Sequence, residues 1–117
     1  DCHSMPKGSA YSAKESDGKI PDVVLGDRFG SSCSAKIMNE IRSVFQDYGF
    51  TVSYNIPFSG AYILKNYGHP SMNQHAIQIE IDRSLYLDER IVEKSESFKG
   101  LQNKLTKVIK DIILVGK

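Results

Sequence analysis

A chain of 117 residues holds one domain at most, with a real but modest core. Its 15 basic and 14 acidic residues leave a formal charge of +1, too little to steer it toward nucleic acid or an anionic membrane. No run approaches the ~18 apolar residues of a membrane span, and the opening residues are polar rather than basic and apolar, so no membrane partner is expected.

Two cysteines, Cys2 and Cys33, lie too far apart for a CxxC site and are too few for a disulfide scaffold, which suits a reducing, cytoplasmic setting. The chain opens at Asp1 without a methionine, as if cut from something longer.

Ser4 to Pro21, SMPKGSAYSAKESDGKIP, is rich in Ser, Gly, Lys and Pro and lacks an apolar period, which predicts a loop. DVVLGD then carries paired valines in a short apolar run closed by Gly26, predicting a buried strand over 22–26. The serines of RFGSSCS can cap a helix, and Ile37, Ile41, Val44, Phe45 and Tyr48 recur before Gly49. An amphipathic helix is therefore expected over 34–48. FTVSYNI returns to strand, and the glycine-punctuated PFSGAYILKNYGHP leaves room for a helical turn. A further strand runs through 75–82, HAIQIEID. From Ser97, Phe98, Leu101, Leu105, Val108 and Ile112 mark a closing helix, with Lys104, Lys107 and Lys110 on its other faces. The order strand, helix, strand, strand, helix predicts an α/β layer fold. Three strands are few for such a sheet and there is no internal repeat, so a missing half is expected.

Four stretches carry candidate chemistry. His3, in DCHS, has an imidazole that suits zinc if it sits at a strand end beside a tautomer-fixing acceptor; a lone surface histidine is the bland alternative. His69 and His75 are not spaced as a ligand pair with it or with each other, and read as a loop residue and a strand-start residue. In HAIQIEID, alternation puts His75, Ile77, Ile79 and Ile81 on one face and Ala76, Gln78, Glu80 and Asp82 on the other. That polar face is either the wet side of a half-buried strand, or it faces a cleft where Glu80 acts as general base. In PFSGAY, Gly60 allows close approach of backbone to a ligand and Tyr62 offers a phenol, or the segment is a turn with a core tyrosine. GDRFGSSC could supply Asp27, Arg28 and backbone N–H groups to an anion, or simply cap the helix.

Taken together, DCHSMP, DVVLGDRFGSSC, NIPFSGAYILKNYGHP and HAIQIEIDRSLYLDE resemble, in order, motifs of the later part of the N-formylglutamate amidohydrolase family. The likeness spans residues 1 to about 89. It implies that 1–117 is the C-terminal portion of a single amidohydrolase domain, an α/β mixed sheet flanked by helices, related to the zinc-dependent carboxypeptidase-like exopeptidases. It also implies zinc-dependent hydrolysis of N-formylglutamate to formate and glutamate in histidine degradation. Residue by residue, His3 resembles the last zinc ligand, Glu80 the catalytic glutamate, and Gly60 and Tyr62 match the substrate-binding segment. The sequence departs from the commoner pattern at Ala61, where a second glycine is frequent, and at Phe29, where a histidine is expected.

A zinc of this kind needs three protein ligands and one open position, and the chain offers one. The resemblance thus implies a missing N-terminal segment as partner, besides the small N-acyl amino acid substrate, and an isolated fragment that binds zinc poorly and hydrolyses nothing. The competing expectation is a non-catalytic interaction domain that keeps the scaffold.

Overall fold

The computed structural model describes all 117 residues. DVVLGD forms β2 (Val23–Gly26), buried along its whole length, as expected of an apolar run covered on both faces. Ser34 caps α1 (Ala35–Asp47), its hydroxyl accepting from the Ile37 N–H, and the helix buries Met38, Ile41 and Phe45. The closing helix α3 (Phe98–Ile112) lays Val108 into the same core, with Leu101, Leu105 and Ile112 packed against its edge. Tyr48 bolts the two helices together by donating its hydroxyl to Asp111 at 2.7 Å.

Four strands make one mixed sheet in the order β1 (Cys2–Met5), β4 (Gln78–Asp82), β2, β3 (Val52–Tyr54). β4 is parallel to β1 and antiparallel to β2, and β3 is parallel to β2. One face of the sheet carries Val23, Leu25, Val52, Ile77 and Ile79 against α1 and α3, which gives the expected α/β fold of a sheet flanked by helices. The other face carries Met5 and Val24 under Ala10 and Phe58, so loops cover it.

The structure corrects several sequence expectations. The stretch 4–21, expected as loop throughout, contributes Ser4 and Met5 to strand β1 and makes a 3-10 turn at Tyr11–Ala13. The sheet therefore has four strands rather than three; four residues of mixed polarity are too short for a period to show. The second strand shrinks from seven residues to three, Val52–Tyr54, because Asn55 turns left-handed at φ 60°. HAIQIEID is strand only from Gln78, so His75 precedes the strand instead of starting it. Its Nδ1 accepts from the Ser34 N–H at 3.2 Å. The helical turn in the glycine-punctuated segment is α2 (Tyr62–Tyr67). A small hairpin, β5 (Leu87–Asp88) with β6 (Glu93–Lys94), was not foreseen.

Candidate functional site

β1 and β4 set the site, because their parallel register pairs His3 directly with Glu80. Partners in adjacent strands share a face, so an imidazole and a carboxylate 77 positions apart in sequence become neighbours. His3 Nδ1 lies 3.5 Å from Glu80 Oε1, and His3 Nε2 lies 3.0 Å from Asp1 Oδ1. Arg83, just past β4, reaches back to β1, donating through Nε to the Ser4 hydroxyl (3.1 Å) and through Nη2 to the Ser4 carbonyl (3.4 Å). That fork ties the strand bearing His3 to the strand bearing Glu80.

The alternation of β4 is as expected, but its polar row is the more buried one. Gln78 and Glu80 are only 6% and 7% exposed, whereas Ile79 and Ile81 are half-buried. The wet-face reading of Glu80 is thereby excluded: loop 57–61 roofs this side of the sheet. It comes so close at Gly26, the strand partner of Gln78, that a Cβ there would meet the Ser59 carbonyl carbon at 2.6 Å. A side chain at position 26 would lift the loop off the sheet. Beneath the loop is an open cleft of about 340 Å³ lined by His3, Pro57 to Ala61, Gln78 and Glu80. Burial raises the proton affinity of the Glu80 carboxyl above the ordinary glutamate range, while the nearby His3 and Arg83 counteract it. A carboxylate tuned upward inside a cleft suits proton transfer.

The other sequence candidates fall around this core. Gly60 lines the cleft at φ 95°, a left-handed backbone that favours glycine, with Leu64 packed where its side chain would be. Ala61, one of the two departures from the family pattern, also lines it. Tyr62 opens α2, is 73% exposed and does not line the cleft. His69 pairs through its backbone with Gln74, away from the cleft. Asp27 is wholly buried and serves as a rivet: its carboxylate accepts from the Gly30 N–H, the Asn55 amide and the Tyr54 hydroxyl. It holds the turn in which Arg28 and Phe29, the other departure, adopt left-handed φ of 53° and 57°. The Arg28 N–H donates to the Ser59 carbonyl at 2.7 Å, fastening that turn to the cleft's roof. A larger hollow of about 480 Å³ lies on the helical face among Ile37, Ile41, Ile77, Ile79, Ile112 and Val115; its polar lining, His75 and Asn73, is paired with itself at 3.2 Å and includes no carboxylate.

For zinc, the donor set gives a partial fit. His3 is 47% exposed at the cleft, so an imidazole nitrogen is reachable from solvent. No group of three or more His, Cys, Asp or Glu side chains gathers in a metal-holding arrangement. Of these side chains His3 alone suits a ligand position, and a closed shell would need donors from outside them. No helix is long and apolar enough to cross a membrane.

Comparisons with known proteins agree with this architecture. A crystal structure of N-formylglutamate amidohydrolase from Ralstonia eutropha JMP134 superposes on 97% of this chain with a TM-score of 0.83 at 33% sequence identity, using 41% of its own chain. N-formylglutamate deformylases of Pseudomonas putida and Pseudomonas aeruginosa are 35% and 33% identical over 74 and 75 residues. Those matches cover 62% and 63% of this chain but 28% of either relative, so the chain spans little more than a quarter of their length. The sequence profile of N-formylglutamate amidohydrolase matches residues 1–87, through β1, β2, α1, β3, α2 and β4, and with most of the chain inside that match it belongs to the N-formylglutamate amidohydrolase family.

Proposed function

We propose that this chain supplies the general base and one zinc ligand of an amidohydrolase that cleaves the formyl amide of N-formylglutamate to formate and glutamate, a step of histidine degradation. The observation that carries the proposal is the pairing of His3 with Glu80 across β1 and β4, in a cleft roofed by residues 57–61. His3 would hold the zinc together with ligands from outside these residues, and bound zinc would act as a Lewis acid on the formyl oxygen. Glu80 takes a proton from the attacking water as its oxygen adds to the formyl carbon. It returns that proton to the amide nitrogen as the C–N bond breaks, releasing formate and the amine of glutamate. The buried floor excludes bulk water from the carboxylate, and the Arg83 fork keeps the two strands in register.

The chain alone should bind zinc weakly and release no formate. Mixed with the portion of its relatives that it does not span, it should release formate from N-formylglutamate. In the active assembly, Glu80→Gln should cut turnover by roughly 10²- to 10⁴-fold, the usual worth of a general base, with zinc content unchanged. Formate release and metal analysis read both. Full turnover by the Glu80→Gln protein would show Glu80 to be scaffold and favour a non-catalytic interaction domain.

A further inference from the structure

Gln78 is a nearly buried polar side chain that the mechanism above does not use. Strand alternation places it two residues from Glu80 on the same face, and its Nε2 donates to Glu80 Oε1 at 3.3 Å. A carboxylate has acceptors only, so the amide must turn its NH₂ toward Glu80 and its carbonyl oxygen the other way. That oxygen makes no hydrogen bond within the protein, although Gln78 is only 6% exposed. Every fully buried side-chain oxygen and nitrogen in the chain has a partner. The Gln78 carbonyl therefore reaches open space, and the hollow that Gln78 lines is the cleft containing His3, Glu80 and Gly60. On its β2 side stands Gly26, so no side chain competes for the oxygen there.

A buried acceptor opening onto a ligand cleft is satisfied by a donor on the ligand. We infer that Gln78 is a specificity-determining residue, its carbonyl oxygen accepting from the N–H of the scissile amide while its NH₂ holds Glu80. This rests on the amidohydrolase reading and deepens it, since it defines the substrate class as amides that still carry one N–H. Opposing the formyl oxygen to the Gln78 oxygen would set acceptor against acceptor. The pairing therefore turns the amide nitrogen toward the floor shared with Glu80, the group that must protonate it, and the formyl oxygen away.

The test compares N-formylglutamate with 2-formyloxyglutarate, the ester in which oxygen replaces the N–H. Each is titrated into the zinc-free assembly of this chain with the portion of its relatives that it does not span, so that neither compound is turned over, while the ¹⁵N-labelled side-chain amide of Gln78 is followed by NMR. The amide should shift its Gln78 resonances on saturation, and the ester should bind about tenfold more weakly or worse, because it leaves the acceptor unpaired. In Gln78→Met, with its backbone spectrum otherwise retained, the preference should fall to within about twofold. Equal affinity for the two compounds in the parent assembly overturns the inference, as does a preference that survives in Gln78→Met. So does an unmoved Gln78 resonance at millimolar amide, a readout that needs no variant. Because these are binding measurements, failure of the hydrolase reading shows separately, as missing formate release by the completed assembly.

Discussion

Glu80 shows what a single position does and does not reveal. Alternation in HAIQIEID correctly separated Gln78 and Glu80 from the isoleucines, but a period of two reports only which residues share a face. Whether that face is wet depends on the loop at 57–61 and on Gly26 opposite Gln78, both far away in sequence. Asp27 makes the same point. In sequence it is one acid in GDRFGSSC, and only the approach of Tyr54 and Asn55 from the end of β3 converts it into a buried rivet. That rivet has a pH signature. Burial, then the hydrogen bond to Asp27, pushes the Tyr54 hydroxyl from an ordinary value near 10 up to about 12. A proton held more tightly in the folded chain stabilises it fully below the ordinary tyrosine range, and that contribution disappears as pH rises from about 10 to about 12. Denaturant midpoints should fall across this interval, and fall less steeply in Tyr54→Phe. Some slope should remain in that variant, because burial also pushes the Cys33 thiol up to about 11.

Among the elements, the two long helices were legible because thirteen and fifteen residues give a 3.6-residue period several turns in which to appear. β1 and the hairpin strands, at two to four residues each, were not, and β3 was legible as a strand but not in its length. They are strands because partners bind them: β1 exists as the parallel neighbour of β4, and the residues that make it matter, His3 and Ser4, are not strand formers by habit. α1 is the element that anchors the core. Phe45 is almost fully buried and meets Phe50 edge to face with ring centroids 5.7 Å apart, while Lys104 of α3 stands over the Phe50 ring, 4.9 Å from its centre. Phe45→Ala should destabilise the chain by about 3–5 kcal/mol through lost burial and the cavity left behind. Against a total of roughly 5–15 kcal/mol, that is enough to bring a small domain near its unfolding threshold, which urea titration followed by circular dichroism would measure.

Taken as one body, the molecule is asymmetric: its two long helices share one side of a four-stranded sheet, and loops roof the other, over the strands that bear His3 and Glu80. β4 and β2 have strand neighbours on both sides, whereas β1 and β3 have one each and the β5–β6 hairpin stands apart. Hydrogen exchange should follow that order, slowest in β2, β4 and the middle of α1 and fastest in the hairpin. Protection of β5 equal to that of β2 would contradict this layering. The composition, the helical periods, the apolar run of β2 and the two-faced character of β4 were all properties of neighbouring residues, and local pattern was sufficient to specify them. The four motifs in register likewise carried the family resemblance, because order and spacing survive in a linear string. The meeting of His3 with Glu80, the roof over Gln78 and the burial of Asp27 came from strand pairing and loop packing between segments separated by up to 77 positions. Such contacts have no local period, so only the folded arrangement could decide them.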